Sequence, residues 1–164
     1  MGIQTYLTSQ RVSFESLIHA PAATASVRAR LLHTPGRSVA KGVLVRAGDG
    51  FVLAVLPATG RIDLTRLSNV LGGQPVSLAT EDDLEDVFGD CQRGALPPLG
   101  SLYGLRTLLD SSLAAGPEIV FVGNQRHEGI KMSFLDYEAL ESPTQAQFMS
   151  LPDQVDATNQ RRAG

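Results

Sequence analysis

In the run VAKGVLVRAGDGFVLAVL, residues 39–56, a strand period of two puts Lys41 on one face with Val39, Val43 and Val45. The opposite face carries Ala40, Gly42, Leu44 and Arg46. Lysine is almost never fully buried unless it is paired or used. Two readings follow. Either Lys41 sits at the start of the strand and its stem snorkels to water, or its ammonium is held for a negative charge. The chemistry open to such a group is first electrostatic, binding a phosphate or stabilising an oxyanion that develops on a carbonyl, with a general base of depressed pKa as the alternative.

A second candidate lies in GDCQRGALPPLGSLYG, residues 89–104, where regular patterning breaks down. Gly94 and Gly100 allow close approach to the backbone and expose N–H donors. Pro97 and Pro98 fix φ and lose little entropy on folding. The stretch reads as a pre-shaped wall for a small group, or as a rigid crossover between helix and strand.

Other chemistries find little support. No serine sits in a Gly-x-Ser-x-Gly turn, and there is no His-Glu-x-x-His helix. His19, His33 and His127 form no ligand spacing with Cys91, so no metal and no cofactor is expected. Gly48-Asp49-Gly50 is accounted for as a hairpin turn.

These residues need a scaffold, and the patterning supplies one. A short helix is expected over 3–10 and a first strand through Val12, Phe14 and Ile18. A helix capped by Thr24 runs to about Leu32. After the hairpin, Asp63 caps a helix with Leu64, Leu67 and Leu71 inward, and Gly72-Gly73 ends it. A strand at 76–79 precedes a helix opened by Thr80, with Asp83 as a capping box. Strands at 106–109, 118–122 and 128–132 follow, then a helix from Ser133 that buries Phe134, Tyr137 and Leu140. The pattern describes an α/β domain with a curved, barrel-like, mixed but largely antiparallel sheet and flanking helices. A single domain over 1–142 is expected, with 143–164 a partly disordered tail from which Phe148, Met149 and Leu151 dock back at most.

The 164 residues suffice for one real core, and one cysteine excludes an internal disulfide. No apolar run approaches the roughly 20 residues that span a bilayer. The N-terminus carries neither a secretory nor a myristoylation pattern, so a cytoplasmic setting without membrane contact is expected. A net charge of −3 argues against a tight nucleic-acid binder. Yet between Glu15 and Asp49 there is no acid, only Arg28, Arg30, Arg37, Lys41 and Arg46 with His19 and His33. Glu81 to Asp90 is the reverse, with six acids and no base. The basic third could hold a phosphate-bearing ligand, and the acidic helix should face away from it.

Ala40-Lys41 opening a hairpin, Pro57 closing it, the helix after Asp63, the Gly94-x-x-x-Pro98 loop and His127-Glu128 occur in that order. Over roughly residues 12–140 this resembles the YbaK-like family, which includes the insertion editing domain of bacterial prolyl-tRNA synthetases and its free-standing relatives. The resemblance implies a free-standing deacylase that hydrolyses the ester joining a wrong, small amino acid to a tRNA 3′ end. It implies that Lys41 is the essential lysine, that Gly94 and Pro98 belong to the substrate loop, and that His127 lies near the pocket. Gly42 departs from the pattern, in which a polar residue such as Thr or Asn more often follows the lysine and shapes the amino-acid pocket. Gly100 closes the same loop and is counted with the substrate-binding residues. The implied partner is a mischarged tRNA, delivered by an aminoacyl-tRNA synthetase or elongation factor. The alternative is a non-catalytic module of the same fold that binds aminoacyl-adenosine-like ligands or a synthetase.

Overall fold

The computed structural model describes residues 2–150. In chain order the first elements are α1 (Ile3–Ser9), β1 (Glu15–Ile18), α2 (Ala25–Leu31), β2 (Ala40–Ala47), β3 (Gly50–Pro57) and β4 (Arg61–Ile62). Then come α3 (Leu64–Val70), β5 (Val76–Leu78), α4 (Glu81–Phe88), β6 (Arg106–Asp110), β7 (Glu118–Val122) and β8 (Glu128–Ser133). The described chain ends with α5 (Phe134–Glu141), β9 (Thr144–Ala146) and β10 (Met149–Ser150).

The apolar hairpin is the spine of the molecule. β2 and β3 pair from Ala40↔Pro57 to Ala47↔Gly50, and Gly48 takes the left-handed φ of +59° that this tight connection needs. The larger sheet has the order β5-β2-β3-β6-β9. Its β5, β2 and β3 are antiparallel neighbours, whereas β6 joins β3, and β9 joins β6, in parallel. A second, wholly antiparallel sheet has the order β1-β8-β7, and β10 pairs with β4. The expected mixed, antiparallel-rich α/β architecture is present. The expected closure into a barrel is not: a parallel bridge between Val39 and Val120 links the two sheets, but β5 and β9 leave open edges among the described residues.

Strand alternation sends the hairpin's side chains into two of three core clusters, the third holding α2 against Val39 and Val120. Ala40, Leu44, Leu53, Val55 and Leu109 pack against Phe121, Ile130, Met132, Phe134 and Tyr137. Val45, Val52, Ala54, Leu56 and Leu108 turn the other way, against Leu67 and Phe148. Each fully buried leucine contributes about 1.5–3 kcal/mol relative to exposure. Lys41 stands opposite Leu56, at the end of the face that feeds the second cluster.

The helices start where side-chain acceptors allow. Thr24 accepts from the Val27 N–H and Asp63 from Arg66, while Thr80 and Asp83 form both halves of a capping box. Gly72 and Gly73, at φ +79° and +86°, end α3.

Beyond residue 142 Phe148 and Met149 dock back as expected, and the segment is more ordered than the expected tail. β9 adds a strand to the larger sheet, and Phe148 is wholly buried with its N–H donating to Asp110 Oδ2 at 3.1 Å. The segment Thr144–Ala146 is too short and polar to show a strand period, and its pairing comes entirely from the β6 edge. The packed body therefore continues to Ser150, and the rest of the expected tail, Leu151 included, lies outside the described residues.

Candidate active site

Lys41 opens β2 and is half-buried. Among the described residues it makes no ion pair. Burial pulls its pKa below the usual lysine value, and the nearby positive charge of Arg61 adds to the shift. It lines a cavity of about 270 Å³ with Gly42, Gly94, Leu96, Val122, Arg28 and the 23–26 segment before and at the start of α2. No acidic residue lines this cavity. An unpaired ammonium in such a wall favours a ligand with full or developing negative charge.

Gly42 has a backbone reason to be glycine. A Cβ there would stand 3.1 Å from the Leu96 carbonyl oxygen and 3.3 Å from Leu53 Cδ1. The residue after the lysine thus admits the loop backbone where a side chain would push it away. Gly94 sits exposed at the rim with φ +88°, and a Cβ on it would lie 3.2 Å from Arg126 Cδ. Ala95 N–H donates to Gln92 O at 2.8 Å, whereas the N–H groups of Gly94 and Leu96 make no backbone hydrogen bond among the described residues. Two donors are therefore free at the part of the loop that borders the cavity.

The structure brings Lys41, Gly42 and Gly94 together and places the other sequence candidates elsewhere. Pro98 is buried behind the loop, where its carbonyl accepts from Tyr137 Oη at 2.6 Å. Gly100 is buried against Thr107 Oγ1 and the Leu105 carbonyl, leaving no room for a Cβ. Both residues hold the loop's shape and are absent from the cavity wall. His127, half-buried on the turn between β7 and β8, accepts at its backbone carbonyl from His19 N–H at 3.0 Å and does not line the cavity either.

Arg28 was missed as a candidate beyond its place in the basic third. It is 3% exposed, and neither its Nε nor its Nη2 has a hydrogen-bond partner among the described residues. Burial lowers its pKa to about 10, so it stays charged at neutral pH. Leaving even a neutral donor buried and unpaired costs about 1–3 kcal/mol, and such groups call for an explanation. The signal was available in the sequence: at spacings of three and four, Arg28 falls on the apolar stripe of Ala25, Ala29 and Leu32. Arg126 Nε and His19 Nε2 are likewise buried without partners.

A larger hollow, of about 380 Å³, lies on the other side of Gly94 and Leu96. Glu81, Asp82 and Glu85 of α4 line it with Arg93 as the one cation, which is the wrong balance for a polyanionic ligand. Its Cys91 thiol is pushed up to about 11, chiefly by burial, so it is not a thiolate nucleophile at neutral pH. The smaller, acid-free cavity is the candidate site.

The loop is held from behind by a buried carboxylate. Glu141 accepts from Ser101 N–H at 3.1 Å, Ser101 Oγ at 2.7 Å and Thr107 Oγ1 at 3.2 Å. Burial raises its pKa, and these hydrogen bonds oppose the rise. Among the described residues no three His, Cys, Asp or Glu side chains gather where they could hold a metal, and no helix is long and apolar enough to cross a membrane.

Comparison with known proteins bears on the family and the fold. The sequence model described as the aminoacyl-tRNA editing domain matches residues 19–140. The chain is 30% identical over 98 residues to the multifunctional Ser/Thr-tRNA deacylase ProXp-y of Escherichia coli K12, covering 59% of this chain and 58% of that protein. It is 26% identical over 103 residues to the proline–tRNA ligase of Brachyspira hyodysenteriae, covering 62% of this chain and 18% of the ligase. The chain thus spans less than two thirds of these curated relatives. A crystal structure described as a candidate trans-editing enzyme for prolyl-tRNA synthetase shares the fold, with a TM-score of 0.78 and 21% identity over 90% of this chain and 94% of that one. A crystallised hypothetical protein shares it too, at TM-score 0.81 and 19% identity over 90% and 99%.

Proposed function

This chain belongs to the aminoacyl-tRNA editing domain family, and we propose that it is a free-standing deacylase that hydrolyses the ester of tRNA mischarged with a small amino acid. The observation that carries the reading is Lys41, half-buried and without a carboxylate partner, in an acid-free cavity walled by the Gly94 loop. The E. coli relative named as a Ser/Thr-tRNA deacylase supports the substrate class.

An aminoacyl ester is already activated, so positioning and charge stabilisation suffice. Water attacks the carbonyl carbon, the new C–O bond forms, and negative charge collects on the former carbonyl oxygen. The Lys41 ammonium and the free N–H groups of Gly94 and Leu96 stabilise that charge. Collapse breaks the bond to the ribose oxygen, which takes a proton, and releases the amino acid. Lys41 acts as a fixed charge and not as a nucleophile. Leu96, held against Gly42, bounds the acyl group, and exclusion by this wall limits its size. Gly94 and Leu96 are the loop's substrate contacts; Pro98 and Gly100 support them from behind, and His127 stays outside the cavity wall. The reaction takes place where charged tRNA circulates, in the cytoplasm, with a synthetase or elongation factor as the source of substrate.

The test is release of amino acid from a panel of tRNAs charged with Ala, Ser, Cys and Thr. Turnover of at least one supports the deacylase. No release from any of them, with binding of an aminoacyl-adenosine analogue retained, would leave a non-catalytic module of the same fold.

A further inference from the structure

The cavity raises a problem of charge. Arg28 and Lys41 both line it and no acid does, so a substrate whose only nearby charge were its α-ammonium would be repelled. The missing counter-charge has to come with the ligand.

Arg28 is built to receive one. Nε and Nη2 form the side-on edge of the guanidinium, the edge that grips two oxygens of one phosphate or carboxylate. Both atoms are buried and unpartnered among the described residues, in a residue only 3% exposed. Nothing on its own helix pairs with it. Thr24 Oγ1 is committed to the Val27 N–H, and Ser26 Oγ donates to the Ala58 carbonyl. The ion pairs among the described residues lie elsewhere, at Arg46–Asp83, Arg66–Asp63, Arg93–Glu81 and Lys131–Glu118.

We infer that Arg28 is a substrate-binding residue whose unpaired guanidinium takes the phosphate on the 5′ side of the ester-bearing nucleoside. This rests on the deacylase reading and extends it. Lys41 attends the reacting carbonyl, and Arg28 reads whether the ester is borne by a nucleotide. The enzyme thereby prefers a tRNA end to a free aminoacyl ester or an unphosphorylated aminoacyl nucleoside.

The probes are 5′-AMP and adenosine, titrated against the wild type, Arg28→Gln and Arg28→Lys, each first checked for cooperative thermal unfolding. The wild type should bind 5′-AMP more tightly than adenosine by on the order of 10- to 100-fold, the range of a charge-assisted bidentate contact. Arg28→Gln should lose that preference and Arg28→Lys should keep part of it; should Gln fail to fold, the Lys variant alone still reports a reduced preference. An unchanged ratio, or no wild-type preference for 5′-AMP, overturns the assignment. Hydrolysis of the Ala, Ser, Cys and Thr tRNA panel separates the two readings. If none of the four is cleaved, the deacylase reading falls while the titration still decides Arg28. If Arg28→Gln instead impairs only tRNAs carrying Asp or Glu, the guanidinium reads an acyl side chain and the phosphate assignment is wrong.

Discussion

Gly42 and Leu96 meet backbone to backbone: a Cβ on Gly42 would stand 3.1 Å from the Leu96 carbonyl oxygen. A side chain at position 42 would therefore press on the loop that faces the Lys41 strand. Gly42→Ala should displace Leu96 by a few tenths of an ångström. Since misplacement by about 1 Å can cost 10²-fold, a loss in kcat/KM of roughly 3- to 10-fold is expected, with a change in the ranking of Ala, Ser and Thr substrates. Unchanged kinetics on all three would show that the contact does not bound the acyl group.

Lys41→Ala should slow deacylation by about 10²-fold or more, the scale of a lost oxyanion partner. The pH profile separates two roles. Burial and Arg61 lower the Lys41 pKa, so the ammonium is lost at a lower pH than in an ordinary lysine. After subtraction of spontaneous ester hydrolysis, the rate should fall as pH rises through that value. A rate that climbs through the same range would identify Lys41 as a general base.

Tyr137→Phe removes the hydroxyl that donates to the Pro98 carbonyl at 2.6 Å in the core. The unpaired carbonyl should cost about 1–3 kcal/mol in urea unfolding. Because Pro98 sits behind the Gly94 loop, the rate should also fall by a few-fold. Lost stability with an unaltered rate would mean that the loop keeps its shape without this bond.

Glu141→Gln tests the buried carboxylate beneath the loop. The folded-state pKa of Glu141 is raised, so the folded protein holds this proton more tightly than the unfolded chain does. Its stabilising contribution is full below the unfolded value and declines as pH rises through the folded one. Denaturant curves at pH 4 and pH 7 should show the wild type better placed against the glutamine variant at pH 4. An equal difference at both pH values would contradict the raised pKa.

Local chemistry was legible in the sequence, and chemistry that depends on distant meetings was not. Thr80 and Asp83 announce their capping box because the partners lie within one turn. The hairpin around Gly48 shows in its apolar run and its Gly48-Asp49-Gly50 turn. By contrast, nothing at Gly42 reveals that Leu96 will arrive there, and the order of the motifs placed Pro98 and Gly100 in a substrate loop without showing that both face inward. Arg28 could have been suspected, because a charged residue on the stripe of Ala25 and Ala29 breaks the pattern. Its lack of a partner belongs to tertiary structure alone. β9 escaped for a related reason: three polar-leaning residues acquire strand form only from the exposed edge of β6.

The parallel seam between β3 and β6, in register from Val52↔Arg106 to Val55↔Leu109, sets the order in which the molecule can be assembled. The chain between these strands contains α3, α4 and the whole Gly94 loop, so the loop is tethered at both ends only after a distant strand has docked. Hairpin closure between β2 and β3 is local and fast, whereas a parallel pairing across such a separation is slow. A chain emerging from the ribosome presents Lys41 early and completes the cavity late. Until β6 is in place the Gly94 loop is anchored at one end only, and the cavity it walls is among the last features that folding completes.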